Sequence, residues 1–157
     1  MDYIIRKAET KDAKGIHEVI LAAFEEFRDF YSLEGFADTV MSEEVALKRT
    51  KEMNLYVAID LIGEIIGTIG WTKVSKEEGH IRGMAVYPKY QGNNSPAASL
   101  LQTVEDETNS QDCIFLSLDT TEILKRAQNF YRKHGFKETG KTGDFFGTII
   151  IEFVKEI

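Results

Sequence analysis

The chain has 157 residues, of which 43% are hydrophobic, 29% are charged and two are proline, a composition typical of one folded domain and not of disordered or fibrous proteins. We therefore expect residues 1–157 to form a single domain. The net charge of −7 argues against a nucleic-acid partner, because such proteins need basic residues to displace phosphate counterions. The single cysteine, Cys113, cannot form an internal disulfide or a cysteine-based zinc site. Neither a signal-peptide core nor an apolar run of membrane-spanning length is present, so we expect a cytoplasmic protein with no membrane partner.

The first half of the chain is predicted to contain four strands and two helices. Runs of apolar and β-branched residues predict the strands, at Tyr3–Lys7, Leu55–Asp60, Glu64–Val74 and His80–Tyr87. Apolar residues at helical spacing predict two helices between the first two strands, one capped by Thr10 and one by Ser42. A connector rich in aromatic residues joins these helices, and a short turn at Leu61–Gly63 makes the second and third strands a hairpin.

The second half of the chain alternates helices and strands. Its predicted elements are a helix from Ala97 to about Asn109, a strand at Ile114–Leu118, a helix opened by a capping box at Asp119–Glu122, and strands at Phe136–Gly140 and Phe146–Val154. The element order is β-α-α-β-β-β-α-β-α-β-β. Hairpins followed by a strand–helix–strand unit predict an α/β fold with a mixed, mostly antiparallel twisted sheet flanked by helices, and one parallel strand pair with a right-handed crossover.

The segment from His80 to Ala97 is the most informative part of the sequence. A strand leads into a loop of glycine and asparagine, and the loop leads into the start of a helix. Such a loop can turn its amides outward, and a helix N-terminus adds free N–H groups and positive partial charge, so the segment suits a phosphate or pyrophosphate group. The same residues also fit a plain turn with a good helix cap.

This segment resembles the acyl-CoA-binding motif of the GNAT superfamily of N-acetyltransferases, in which Val-x-Pro-x-Tyr leads into Gln/Arg-x-x-Gly-x-Gly/Ala. Val86, Pro88, Tyr90 and Gln91 carry the match. A later stretch, Ala127–Phe136, is similar to the family's Ala-x-x-Phe-Tyr-x-Lys-x-Gly-Phe signature. The resemblance extends over essentially the whole chain. It implies the GNAT fold, acetyl-CoA as cofactor, and transfer of an acetyl group to a primary amine of a small molecule or peptide.

The loop departs from the family pattern at its glycine positions. A gapless alignment places Asn94 and Pro96 there, whereas an alignment with one inserted residue places Ala97 at the Gly/Ala position and fits the apolar stripe of the helix better. The family often has asparagine where this chain has Leu124. These departures leave an alternative function open, namely a catalytically degenerate GNAT-fold binding or regulatory module with weak or no acyl-CoA binding.

The resemblance also implies roles for individual residues. Tyr131 matches the tyrosine that protonates the departing thiolate, and backbone amides around Met84 and Val86 match the donors to the oxyanion. The base is predicted from the residues themselves: His80 begins the strand that leads to the site, and imidazole suits proton transfer, although a solvent-facing hairpin residue explains His80 equally well. Glu78, Glu26, Glu34 and Asp119 are further carboxylates that could act through water, and the choice among these groups stays open. The predicted cofactor-binding residues are Met84, Ala85, Val86, Gln91, Gly92, Asn93, Asn94, Ser95, Pro96, Ala97 and Tyr131.

The acceptor is expected to contact the aromatic connector between the first two helices. Phe27, Phe30, Tyr31 and Glu34 could hold an amine through cation–π and carboxylate contacts, although hydrophobic packing of the connector explains them equally well. The negative net charge favours a cationic acceptor. The three histidines show no metal-binding spacing, so no metal site is predicted. The protein is expected to be a monomer or a homodimer.

Overall fold

A single twisted sheet organises the structure, a computed structural model that describes residues 2–157. Within these residues the strands are β1 (Tyr3–Lys7), β2 (Asn54–Asp60), β3 (Ile65–Lys73), β4 (Glu78–Val86), β5 (Phe115–Thr121), β6 (Lys137–Phe145) and β7 (Thr148–Glu156). Their order in the sheet is β1-β2-β3-β4-β5-β7-β6. Only β4 and β5 pair in parallel among the described strands. The predicted mixed, mostly antiparallel α/β architecture is confirmed.

Helices cover both faces of this sheet. They are α1 (Ala13–Phe24), α2 (Leu33–Thr39), α3 (Glu43–Glu52), α4 (Ala97–Ser110) and α5 (Lys125–Lys133). On one face the apolar residues of α1, α2 and α3 pack against β2 and β3. On the other face α4 and α5 pack around Trp71, Leu116 and Phe153, none of which is exposed to solvent. Each fully buried large apolar side chain contributes about 1.5–3 kcal/mol, so both layers hold the sheet rigidly. Among residues 2–157, no helix combines the length and apolar character that crossing a bilayer requires.

The first helix begins differently from the prediction. Thr10 is not its cap, because Thr10–Asp12 form a 3-10 turn and Glu9 precedes that turn in a capping box with Asp12. The Asp12 carboxylate accepts hydrogen bonds from the backbone N–H of Glu9 at 2.7 Å and from the Arg6 guanidinium at 2.7 and 3.0 Å. This buried carboxylate ties β1 to the start of α1, which explains why the turn forms one residue earlier than the threonine signal suggests.

The predicted capping box at Asp119–Glu122 is wrong. Strand β5 continues to Thr121, where Thr120 and Thr121 pair with β7 and are buried. Helix α5 starts only at Lys125. The buried Gln128 amide donates hydrogen bonds of 3.0 Å to the carbonyls of Thr121 and Glu122 and so performs the tethering role that the capping box was expected to play.

The aromatic connector contains a helix that was not predicted. The Ser32 hydroxyl accepts a hydrogen bond of 3.1 Å from the Gly35 N–H and caps α2. Serine followed by an acidic first turn is the same signal that predicts the helix after Ser42. After Ser32 the helix has only seven residues, too few for a clear helical period of apolar residues.

Strands β4 and β5 separate towards their carboxyl ends. They pair only where Glu78–His80 lie beside Phe115–Ser117, and beyond that point they diverge. A β-bulge in β4 at Gly83, with φ of 75°, lies between the pairs that Arg82 makes with Gly70 and Ala85 makes with Thr68 of β3. This divergence leaves a gap between the carboxyl-terminal parts of the two strands.

Candidate functional site

Two cavities meet at the gap between β4 and β5. We name the first, of about 460 Å³, the loop cavity, because it is lined by the loop residues Gln91–Ser95 and by Ala97, together with β4 and α5. The second, of about 760 Å³, is named the arginine cavity after Arg49 and Arg82 in its wall. Five residues line both cavities, namely Phe24, Met84, Leu124, Ala127 and Tyr131. The two spaces therefore share one wall, and a molecule in each could meet a molecule in the other there.

The loop presents unpaired backbone donors to its cavity. Gly92 and Asn94 have positive φ values of 95° and 63°, the left-handed conformation that glycine and asparagine adopt most readily. Five N–H groups at the loop and the first turn of α4 donate to no protein acceptor within residues 2–157, those of Gly92, Asn93, Asn94, Ala98 and Ser99. The Ala97 N–H is used internally, by the Ser95 hydroxyl at 3.1 Å. This array of free donors fits an anion with several oxygens, such as a pyrophosphate.

Pro96 stands directly before α4, buried and outside the lining of the cavity. Its carbonyl accepts the first helical hydrogen bond, from the Leu100 N–H at 2.9 Å. The helix thus begins at Ala97, in agreement with the alignment that places Ala97 at the Gly/Ala position.

Two cations of α5 line the loop cavity. The Arg126 guanidinium donates to the Gln91 side-chain oxygen at 3.2 Å and lies against Gly92, and Lys133 lines the wall further along. Sequence reasoning missed Arg126, although its spacing from Phe130 and Lys133 places all three on one face of the helix. The neighbouring Arg132 points elsewhere, to Glu138.

The backbone of β4 directs donors into the gap. The Tyr87 N–H bonds to Ile66 of β3 at 3.0 Å, while the Val86 carbonyl accepts from the Gln91 side chain at 2.8 Å. Because successive backbone groups of a strand point to opposite sides, the N–H groups of Val86 and Met84 face the gap and not β3. Strand β5 has diverged there, so it supplies no partner for them.

Tyr131 stands where the two cavities meet. Its ring packs against Phe130, Phe136 and Phe153, and the residue is 8% exposed. The hydroxyl has only a weak protein acceptor, the Met84 sulfur at 3.6 Å. Burial raises the pKa of the phenol to about 12, so the hydroxyl keeps its proton at neutral pH and can donate it.

His80 lies at the base of the gap, in the wall of the arginine cavity. The Ser117 hydroxyl donates to the Glu78 carboxylate at 2.6 Å, and its oxygen lies 2.8 Å from His80 Nδ1. Because the Ser117 hydroxyl donates its proton to Glu78, Ser117 Oγ accepts a hydrogen bond from Nδ1–H of His80. In this tautomer the unprotonated ring nitrogen is Nε2, which can therefore act as the base. Nε2 faces the open side, 3.8 Å from Asp119.

The sequence matches the model of the acetyltransferase (GNAT) family over residues 13–136, well over half of the chain. The chain belongs to the GNAT family. No curated protein matches the sequence significantly.

Solved structures of other GNAT proteins share the fold. The PaiA N-acetyltransferase from Thermoplasma acidophilum, in complex with coenzyme A, is 20% identical, with a TM-score of 0.81 and full coverage of both chains. Ard1 from Thermoplasma volcanium is 16% identical, with a TM-score of 0.82, over 100% of this chain and 99% of its own. The ribosomal-protein-alanine N-acetyltransferase from Brucella melitensis is 17% identical, with a TM-score of 0.76, over 98% and 99%. At these identities the likeness concerns the fold alone.

In this GNAT chain most of the predicted cofactor residues come together. The loop cavity is lined by Met84, Ala85, Val86, Gln91, Gly92, Asn93, Asn94, Ser95, Ala97 and Tyr131, and Pro96 alone of the predicted set lies behind it. Leu124, at the family's asparagine position, lines both cavities with an apolar side chain.

The residues predicted to bind the acceptor are spread out. Tyr31 lines the arginine cavity, where its hydroxyl lies 3.0 Å from Thr121 Oγ1, whereas Phe27 lines the loop cavity. Phe30, 62% exposed, and the exposed Glu34 lie outside both cavities. The connector thus supplies aromatic walls to both spaces, and the charged lining of the arginine cavity comes from elsewhere.

Proposed function

We propose that the protein is an N-acetyltransferase that transfers the acetyl group of acetyl-CoA to a primary amine. The loop cavity holds acetyl-CoA and the arginine cavity holds the amine. The observation that carries this proposal is the junction of the two cavities at Met84 and Tyr131, between the diverging ends of β4 and β5. Two ligands in these spaces would meet beside backbone donors and a protonated phenol.

The loop fits the phosphate part of the cofactor. The free N–H groups of Gly92, Asn93 and Asn94 and the first turn of α4 supply donors, and Arg126 and Lys133 supply positive charge. The coenzyme A complex of the PaiA protein, which has the same fold, supports this assignment. When bound, acetyl-CoA supplies an acetyl group activated as a thioester.

His80 is the proposed base for the acceptor amine. Met84 lies four positions further along β4 than His80, a distance of about 13 Å, so Nε2 takes up the proton through intervening water. The bond from Nδ1–H to Ser117, with Glu78 behind it, fixes the ring so that Nε2 faces the cavity. Asp119 beside Nε2 would stabilise the imidazolium that forms.

Val86 and Tyr131 complete the proposed machinery. The Val86 N–H, aimed into the gap, donates to the acetyl carbonyl oxygen as negative charge develops on it. Tyr131 Oη then gives its proton to the departing sulfur. His80 takes one proton from the amine and Tyr131 gives one to the sulfur, so the number of protons on the protein is unchanged after each turnover.

Thermal unfolding with added acetyl-CoA tests the proposed function. Stabilisation should grow with concentration and reach about 2.7 kcal/mol at one hundred times Kd. Arg126→Gln should weaken cofactor binding by about tenfold, whereas Lys125→Gln, which removes the same charge from an exposed neighbour outside both cavities, should not. A wild-type protein that is not stabilised at millimolar acetyl-CoA would refute the proposal.

A further inference from the structure

Two arginines without acidic partners line the same wall of the arginine cavity. Arg49 comes from α3 and Arg82 from β4, just before the bulge at Gly83. Among residues 2–157, neither guanidinium has a carboxylate within 4.0 Å or donates a hydrogen bond to any protein acceptor. Arg49 is half-buried and Arg82 is exposed at the mouth of the cavity. Each guanidinium has five N–H donors, so both remain available to a ligand in this cavity.

The position of Arg49 is held by the fold. The residue is half-buried, and its Nη1 lies 4.0 Å from the point that a side chain on Gly83 would occupy. Burial, followed by the positive charge of Arg82, lowers the pKa of Arg49, and Asp38 offsets this only in part. The fold therefore keeps two like charges close together, an arrangement that a bound anion would stabilise.

The acidic groups of the cavity do not neutralise this pair. Asp38 on α2, Glu52 on α3 and Asp119 on β5 are exposed at its wall. Glu52 lies 3.9 Å from Lys48, and Asp119 lies beside His80. At the bulge two guanidinium groups thus face the single carboxylate of Asp38, which leaves net positive charge for an anion, while Asp119 at the proposed base leaves a separate place for an amine.

We infer that the acceptor carries an anionic group, a carboxylate or a phosphate, which Arg49 and Arg82 bind while its amine faces the junction of the cavities. This inference rests on the proposed function and names the substrate class of that site. Planar guanidinium groups bind both kinds of anion through paired N–H donors. Because Arg82 and the Gly83 bulge lie next to Met84, the anion and the reacting amine are close together, which fits an amino acid or an aminoalkyl phosphate.

Pairs of ligands that differ only in the anion test this inference. The probes are the twenty L-amino acids against their carboxamides, and phosphoethanolamine against ethanolamine, each added to the protein saturated with coenzyme A. The first readout is thermal stabilisation of that complex, and the second is acetylation when acetyl-CoA replaces coenzyme A. The same measurements are made on Arg49→Gln and Arg82→Gln, with Lys51→Gln as the control, since it removes one charge from an exposed site on α3 outside the cavity.

We expect at least one anionic probe to stabilise the wild-type complex and to be acetylated, with KM at least about tenfold lower than that of its neutral counterpart. That preference should disappear in both arginine variants and persist in Lys51→Gln. The carboxylate and phosphate arms show which anion is the natural one. Three results would overturn the inference. Neutral probes could bind as well as anionic ones, every anionic probe could fail to bind, or the preference for the anion could persist in both arginine variants. Stabilisation by coenzyme A alone reports on the proposed function separately.

Discussion

Replacing Tyr131 by phenylalanine separates a catalytic role from a packing role. The change removes one hydroxyl whose only protein partner is the Met84 sulfur at 3.6 Å and leaves the contacts of the ring with Phe136 and Phe153 in place. The free energy of unfolding at neutral pH should therefore change by less than about 1 kcal/mol. A general acid contributes about 100-fold or more to turnover, so kcat should fall at least that far, or about 2.7 kcal/mol in activation free energy.

The assay follows release of the coenzyme A thiol with a thiol reagent. Cys113, the single cysteine, is 1% exposed and adds little background. The Kd for acetyl-CoA, measured by thermal shift, should change less than about threefold, because the hydroxyl acts on the sulfur only as it departs. Tyr56→Phe is the matched control, since Tyr56 is equally buried at 8% and lies outside both cavities. A kcat within twofold of wild type in Tyr131→Phe would refute the assignment.

The same variant also tests the buried phenol through the pH dependence of stability. The pKa of Tyr131 is raised from 10.0 to about 12. The unfolded chain therefore loses this proton near pH 10, while the folded chain keeps it until about pH 12. Stability should fall as the pH rises through this window, by up to about 2.7 kcal/mol from this one group. Tyr131→Phe should not show this part of the loss of stability, because phenylalanine has no proton to release. If the free energies of unfolding of variant and wild type changed equally between about pH 9 and 11.5, the burial argument would be contradicted.

Three further predictions concern the loop, the proposed base and the start of α1. Asn94→Gly should keep or improve the affinity for acetyl-CoA, measured by calorimetric titration. Asn94→Val should weaken that affinity about tenfold, because a β-branched residue resists the φ of 63°. Equal affinities of the two variants would contradict the role of this conformation. Ser117→Ala should lower kcat/KM about tenfold, and Ser117→Thr should restore it. If Ser117 acts through His80, Ser117→Ala should have no further effect in a protein that already carries His80→Ala. Additive effects in the double variant would show that the serine does not act through His80. Arg6→Met should destabilise the fold by about 3 kcal/mol in urea unfolding, because Asp12 is 5% exposed and loses its partner. Burial opposes ionisation of Asp12, but the hydrogen bonds from Arg6 and the Glu9 N–H outweigh burial and lower the Asp12 pKa. The stability that this ion pair contributes should therefore be present above about pH 4 and be lost as the pH falls. An Arg6→Met variant as stable as wild type at pH 7 would refute the prediction.

The order of helices and strands along the chain could be predicted because it depends on local spacing. Strand β1 begins and ends at the predicted residues, and α4 begins at Ala97 as its apolar stripe indicates. The errors arose where tertiary contacts decide the local structure. Thr120 and Thr121 resemble a helix cap in sequence, yet pairing with β7 keeps them in a strand.

The candidate site divides in the same way. Most of the residues proposed to hold the cofactor belong to one continuous segment, so a motif could predict that they lie together. The wall of the arginine cavity is assembled from residues far apart in the chain, and nothing in the sequence places Arg49 of α3 near Gly83 of β4. The Glu78–Ser117–His80 relay was also out of reach, because it depends on the register between two parallel strands.

The departures from the family's glycine motif leave the donor array of the loop intact. Asn94 has the left-handed conformation that a glycine would have there, and asparagine accepts it at little cost. Pro96 lacks an N–H, but it is buried behind the cavity, where an N–H would not face the ligand. The degenerate motif therefore changes residue types without removing a donor that faces the loop cavity, which favours an active enzyme over a module that has lost its cofactor.

The net charge of −7 describes the surface of the chain and not its two cavities. Arg126 and Lys133 line the loop cavity, and Arg49 and Arg82 line the arginine cavity. Local charge dominates inside a cleft, because walls of low dielectric constant focus the field of nearby groups while solvent screens distant ones. An acidic protein can therefore bind a polyanionic cofactor beside an anionic acceptor. The acidic surface still disfavours nucleic acids, whose phosphates extend over the outside of a protein and cannot enter such cavities.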